Sequence, residues 1–221
     1  MVAELLNVDK GVTALLGGGG KTTLLYALED ELCSLGTVIL CTSTHIRVPE
    51  QYPLVTGGAA ELTAAVAEYG AVCAGTPAEN GKLTAPELSF AQLAALADYV
   101  LVEADGSRGL PLKAHATHEP VIPANAGNVI LVVGADGFGE PVSRVCHRPE
   151  RWAELAGCGT ADLVTPEREA RVILAEDLGD RVYINKVETA AQRAAAEELS
   201  SYLACHVAAG SLHKGVFACL R

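Results

Sequence analysis

Residues 15–23 read Leu-Leu-Gly-Gly-Gly-Gly-Lys-Thr-Thr, four glycines running straight into a lysine and two threonines. Such a run can curl until several backbone N–H groups face one phosphate, because glycine reaches positive φ without a side-chain clash. A helix starting at the lysine adds its positive dipole end. Lys21 then neutralises β- and γ-phosphate oxygens, and the Thr22 hydroxyl is offered to Mg2+. Gly17, Gly18, Gly19, Gly20, Lys21, Thr22 and Thr23 form this expected phosphate site. The usual G-x-x-x-x-G-K-[ST] spacing puts its first glycine where Leu15 stands, so the pattern is a variant of that loop. The plainer alternative is a flexible glycine turn that caps a helix.

A second constellation is Val100-Leu101-Val102-Glu103-Ala104-Asp105-Gly106, an apolar run ending in two acids and a glycine. Side chains two apart share a face of an extended chain, which groups Glu103 with Asp105. One carboxylate can hold Mg2+ while the other orients a water. Asp105 is the expected metal ligand beside Thr22, since Asp-Gly begins the loop. The Gly106 N–H is offered to a γ-phosphate. Arg108 follows in the same loop and either contacts phosphate or pairs with Glu103. The run Cys41-Thr42-Ser43-Thr44-His45-Ile46 ends another apolar stretch, and Thr44 or His45 could sense Mg2+ or the attacking water. Ordinary capping by Ser and Thr hydroxyls explains that run equally well.

The third is Asn185-Lys186-Val187-Glu188 after Val182-Tyr183-Ile184. GTPases carry Asn-Lys-x-Asp at the end of a late strand, where the carboxylate accepts bonds from guanine and the lysine stem packs on the ring. Glu188 has one methylene more, so its reach is looser. Soft ligands are present too: His115-x-x-His118, Cys146-His147 and Cys205-His206. Sulfur and imidazole suit Zn2+ or Cu+, but none of these has the spacing of a structural zinc site. Small buried apolar cysteines are the plainer reading.

Together these blocks resemble a family. Gly17–Thr23, Thr42–Ile46, Val102–Gly109, Pro111–Ala114, His118–Pro123, His147–Glu150 and Asn185–Val187 are similar to the YqeC-like selenium-dependent hydroxylase accessory proteins. The likeness runs from about residue 8 to 215, and the Glu-Ala-Asp-Gly-Ser-Arg block is its most specific part. It implies a bacterial cytoplasmic P-loop protein associated with selenium-dependent molybdenum hydroxylases or their maturation machinery. Glu188 departs from the expected Asp, which puts guanine preference in question.

These residues need elements to carry them. Val12–Leu16, Thr37–Thr42, Tyr99–Ala104, Val129–Val133 and Arg181–Ile184 are short apolar runs that read as buried strands. Lys21–Ser34, Ala59–Glu68, Phe90–Ala97, Glu167–Ala175 and Ala190–Leu203 read as helices. Ala71–Ala74 with the turn Glu79-Asn80-Gly81-Lys82 suggests a hairpin. The alternation predicts an α/β fold: a three-layer P-loop NTPase-like domain over residues 1–221, with a mostly parallel sheet and a small β-hairpin inserted near residues 71–84. Leu110–Pro123, rich in Pro and His, reads as a long functional loop.

Composition bounds the function. The chain has 221 residues, 50% hydrophobic and 19% charged, with net charge -11. Mean hydropathy is +0.27. Bulk disorder is excluded by that apolar content. The negative field opposes nucleic-acid backbones, so any phosphate must be held by local groups. Pro120, Pro123, Asn125 and Asn128 interrupt the longest charge-free stretch, so no membrane span is expected. Met1–Lys10 carries Glu4 and Asp9, unlike a signal peptide, which points to the cytoplasm with reduced thiols. The expected function is a slow Mg2+-dependent NTPase, on GTP or ATP, serving a protein client, with an oligomer open. Lys21, Glu103, Asp105, His45 and Arg108 are its candidate catalytic residues. Two alternatives stand beside it: a small-molecule kinase whose acceptor pocket is the Leu110–Pro123 loop, and a non-hydrolysing module that binds a selenium or molybdenum-cofactor species.

Overall fold

Strand-forming runs that are apolar on both faces need cover on both faces, and the chain supplies helices between them. The structure is a computed structural model that describes residues 1–221, the side chain of Asn80 excepted. It divides into two compact units, one of residues 1–15, 22–106 and 121–129, the other of residues 16–21, 107–120 and 130–221. The expected α/β class with mostly parallel strands is present in both.

In the first unit, residues 11–15 of strand Gly11–Gly17, then Tyr99–Glu103, Val38–Thr42, Ala71–Ala74 and Leu54–Val55 pair in that order, all parallel. Alternate residues Val12, Ile39, Val72, Val100 and Val102 form one apolar layer with Leu62, Val66 and Leu93 from helices Ala59–Tyr69 and Phe90–Ala94. Helix Phe90–Ala94 is shorter than expected, and Ser89 with Gln92 starts it through a reciprocal capping box. The first strand of the expected hairpin starts five residues later than the expected pairing, at Thr76 rather than Ala71. Ala71–Ala74 is a buried parallel strand of the sheet. The hairpin is Thr76–Ala78 with Lys82–Thr84, and Ile46–Arg47 adds a third strand. Full apolarity of Ala71–Ala74 explains the shift: such a strand belongs where both faces are covered.

In the second unit, the end of strand Ala126–Gly134 pairs with Arg181–Asn185, which pairs with His206–Ser211, again parallel. Val216–Cys219 then adds an antiparallel edge strand that the sequence pattern does not announce. Helices Pro166–Glu176 and Ala190–Tyr202 fall within two residues of the expected ends. Thr165 and Thr189 start them by accepting from the N–H groups of Arg168 and Gln192. Helices Val142–Val145 and Pro149–Ala156 come in addition. The long loop contains a short strand, Leu112–Lys113, paired with Cys146–His147. No helix is long and apolar enough to cross a membrane among the described residues.

Candidate functional site

The glycine loop lies between strand Gly11–Gly17 and helix Lys21–Leu32, as its chemistry requires. Gly17, Gly19 and Gly20 have φ of +93°, +72° and +117°. At Gly19 a Cβ would fall 2.2 Å from the Gly134 nitrogen, so both backbone conformation and space demand glycine. The Gly18 N–H donates to the Val132 carbonyl at 2.9 Å, and the Gly19 N–H donates to the Leu110 carbonyl at 3.0 Å. These two donors are therefore committed, and a phosphate reaches them only by exchanging those bonds. Lys21 is buried, and its Nζ donates to the Gly17 carbonyl at 2.7 Å. Thr22 and Thr23 are exposed on the first turn of the helix.

In the first unit, Glu103 ends its strand opposite Leu15 on one side and Thr42 on the other. Thr22 Oγ1 donates to Glu103 Oε2 at 2.9 Å. Thr42 Oγ1 donates to the Glu103 carbonyl at 2.8 Å, and the Thr44 N–H donates to Thr42 Oγ1 at 3.0 Å. The Thr42 hydroxyl, at the end of strand Val38–Thr42, thus holds the Glu103 backbone and is itself held by the Thr44 N–H. Asp105 is fully buried just beyond the strand, and Gly106 is exposed. His45 is exposed in the turn that follows Thr44. Two hard oxygen groups, the Thr22 hydroxyl and the Glu103 carboxylate, fit a Mg2+ ion that completes its shell with water and phosphate oxygens.

In the second unit, Asn185 Nδ2 donates to the Gly19 carbonyl at 2.8 Å, and Asn185 Oδ1 accepts from the Leu212 N–H at 3.2 Å. One side chain thereby ties the glycine loop to the loop after strand His206–Ser211. Lys186 has φ of +61° and pairs with Asp136 at 2.7 Å. Glu188 accepts from Ser211 Oγ at 2.8 Å, with Lys214 Nζ at 3.5 Å from its other oxygen. The Ser211 hydroxyl and the Lys214 charge hold its carboxyl below the ordinary range. Thr189, the next residue, begins a capping box that fixes where Glu188 leaves the loop. Ser211 was not singled out by the sequence, because a lone serine 23 residues after Glu188 carries no local pattern.

Arg108 is exposed with φ of +54°. It adds to the positive surroundings of His147. Farther along the same segment, Glu119 Oε2 accepts from Lys113 Nζ at 2.7 Å and from Arg148 at 2.8 Å. Burial alone would raise the Glu119 carboxyl, but these hydrogen bonds overcome it and hold the group down to about 2. Glu176 accepts from the His115 N–H at 2.6 Å and faces His115 Nδ1 at 2.7 Å. His118 is exposed. All seven cysteines are free, and no cluster of three or more His, Cys, Asp or Glu able to hold a metal occurs among the described residues. The soft-ligand pairs of the sequence are therefore not gathered into such a cluster.

The model of the YqeC protein family matches residues 13–150, more than half of the chain and every block from the glycine loop to His147–Glu150. The chain belongs to the YqeC family. The YqeC protein of Escherichia coli (strain K12), described as an uncharacterized protein, is 35% identical to it over 164 residues. That alignment covers 66% of this YqeC-family chain and 60% of the relative, so the chain matches less than two thirds of the relative's length. Among solved structures, the signal recognition particle 54 kDa protein of Aeropyrum pernix K1, in complex with GDP, aligns at 16% identity with a TM-score of 0.41. That alignment covers 96% of this chain and 44% of the other.

Proposed function

We propose that this YqeC-family chain binds a nucleoside triphosphate with Mg2+ at the glycine loop and hydrolyses it slowly. The observation that carries the reading is the Asn185 hydrogen bond to the Gly19 carbonyl. It joins an expected phosphate element to an expected base-reading element across 166 positions of sequence. One ligand with a phosphate tail and a purine head accounts for both elements. The glutamate supported by Ser211 favours guanine, whose N1–H and N2–H match a carboxylate acceptor.

In this reading Lys21 exchanges the Gly17 carbonyl for phosphate oxygens. Thr22 and Glu103 hold Mg2+, which when bound neutralises phosphate charge. Glu103 thus takes the metal role expected of Asp105, while Asp105, Gly106 and His45 remain candidates for positioning water and γ-phosphate. Arg108 supplies a cation to the transition state in cis, or a partner supplies one in trans. An accessory role in maturing selenium-dependent molybdenum hydroxylases, in the cytoplasm and with a protein client, is part of the same proposal and rests only on the motif resemblance of residues 17–23, 102–109 and 118–123.

Calorimetric titration with GTP and ATP, each with and without Mg2+, tests this. Mg2+-dependent binding of GTP in preference to ATP is expected. Lys21→Ala should weaken binding about 100-fold or more while the far-ultraviolet spectrum stays unchanged. Unaltered affinity would remove Lys21 from the site. Product analysis then separates free phosphate from a phosphorylated small molecule. The second outcome would favour the kinase reading, for which the charged surroundings of His115–Glu119 are the motivating observation.

A further inference from the structure

Lys186 carries a backbone conformation that its residue type does not favour. Its φ is +61°, in the left-handed region. Asp177 has a similar φ, but it closes helix Pro166–Glu176 as a C-cap. Lys186 instead sits between the end of strand Arg181–Asn185 and Thr189, which starts the next helix. Its neighbours hold it there. Asn185, one residue before, is buried and tied to the Gly19 carbonyl and the Leu212 N–H. Val187, one residue after, donates its N–H to the Gly210 carbonyl at 2.9 Å. Strain that is kept in place by pinned neighbours gathers where a chain grips a ligand.

The far end of the side chain is held as well. Lys186 Nζ meets Asp136 Oδ2 at 2.7 Å, and each side chain keeps 39% of its surface open. Asp136 belongs to the short turn Ala135–Gly137 that follows strand Ala126–Gly134. Gly134 and Asn185 are direct partners across the sheet. Both also meet Gly19, Asn185 through its hydrogen bond and Gly134 at the place where a Gly19 Cβ would fall. The ion pair thus bridges two loops whose roots flank the glycine loop. A pair this open adds little to stability. It does fix both ends of a four-carbon stem, and such a stem is apolar along its length. A lysine held at both ends has already lost the rotamer freedom that binding would otherwise cost.

We propose that Asp136 is a positioning residue of the nucleotide site: it holds the Lys186 stem as a fixed apolar rail against the flat face of a purine ring. The proposal rests on nucleotide binding at the glycine loop, and it adds a residue 50 positions away from the Asn185–Glu188 turn's lysine. Glu188 and the rail divide the work. A carboxylate reads the edge of a ring, where purines differ in donors and acceptors. A methylene stem meets the face, which purines share. Asp136 therefore governs how tightly a base is held and leaves the choice between bases to Glu188.

The test is calorimetric titration of the full chain, with Mg2+ throughout, using GTP, ITP and tripolyphosphate. ITP presents the same ring face as GTP without the N2 amine, and tripolyphosphate has no base. An open ion pair is a mild place for substitution, so the variants should keep the wild-type fold. In Asp136→Asn the affinities for GTP and ITP should fall together, by about 10-fold, with their ratio kept. Tripolyphosphate binding should not weaken. Asp136→Glu, which keeps the charge on a longer arm, should recover most of the loss. Lys186→Met combined with Asp136→Asn should bind GTP no worse than Lys186→Met alone, because the aspartate acts only through the lysine. An unchanged GTP affinity in Asp136→Asn overturns the proposal. So does an equal loss for tripolyphosphate, which would mark general damage to the loops, and so do losses that simply add in the double variant. A wild-type chain that binds none of the three probes, or binds GTP no more tightly than tripolyphosphate, overturns the nucleotide reading itself, and that result precedes any variant.

Discussion

Around the glycine loop the fixed points are backbone atoms. The Val132 and Leu110 carbonyls hold two loop N–H groups, and Gly19 meets Gly134 with no room for a side chain. Around the long loop the fixed points are charges: Lys113, Glu119 and Arg148 in one chain of contacts, His115 and Glu176 in another. Backbone contacts tolerate no change of shape. Charge contacts tolerate shape but not loss of balance. The first region suits a ligand part that never varies, such as a polyphosphate. The second suits recognition tuned by a few side chains.

The largest expected effect falls on shape. Gly19→Ala brings a Cβ to 2.2 Å from one backbone atom of Gly134 and 2.5 Å from another, at a φ of +72°. A loss of about 4 kcal/mol or more in urea unfolding is expected, because the Gly134 backbone, in a hydrogen-bonded strand, cannot give way cheaply. Gly139→Ala is the control: its φ is +81°, but a Cβ there meets open space. It should cost about 1 kcal/mol, the conformational part alone. Equal losses at the two positions would mean that contact with Gly134 is not what restricts the loop.

The next effect falls on charge. Glu119→Gln leaves Lys113 and Arg148 without their shared counter-charge. With partial exposure placing it low in the range for broken buried pairs, the expected cost is about 3 kcal/mol. Glu140→Gln, which removes an exposed pair with Arg144, should stay within about 0.5 kcal/mol. If Glu119→Gln proved as mild as Glu140→Gln, the long loop would not rest on ion balance.

The same contrast explains what was legible in the sequence. The glycine loop, the acids ending Tyr99–Glu103 and the Asn185–Glu188 turn are contiguous, since backbone geometry acts over a few residues, and strand runs apolar on both faces announce a parallel sheet. The Thr22–Glu103 contact was half legible: Thr22 was read as a metal ligand and Glu103 as the acid that orients a water, but nothing in the sequence joined the two by a hydrogen bond. Which of two acids meets a hydroxyl depends on strand register against a helix, and no local pattern encodes that. The ion pairs of the long loop were not legible beyond it. Arg148 precedes helix Pro149–Ala156 and Arg151 lies on it, while Glu176 ends another helix 61 residues from His115, so no local pattern joins them. Ser211 behind Glu188 was hidden for the same reason.

The smallest effect sharpens the comparison by setting two glutamates of the second unit against each other. Glu169 is fully buried with its Oε2 accepting from Trp152 Nε1 at 2.7 Å. Burial pushes its carboxyl up to about 7, the Glu176 charge adds to the rise, and the Trp152 bond and His115 resist it. Its folded value lies above the unfolded one, so its contribution is whole below about pH 4.5 and is lost as pH rises through about 7. Glu119 has the opposite sign: its contribution is whole above about pH 4.5 and is lost as pH falls through about 2. Gln in place of Glu169 keeps an oxygen for Trp152 and cannot ionise. Glu169→Gln should therefore gain on the wild type as pH rises from 4.5 to 7, by on the order of 2 kcal/mol on the low side of the shift. Urea unfolding of both chains at several pH values measures the difference directly. A gap that stays constant across that window would show Glu169 ionised in the folded chain throughout. The pair of helices Pro149–Ala156 and Pro166–Glu176 would then be bearing a buried charge held by the Trp152 indole N–H.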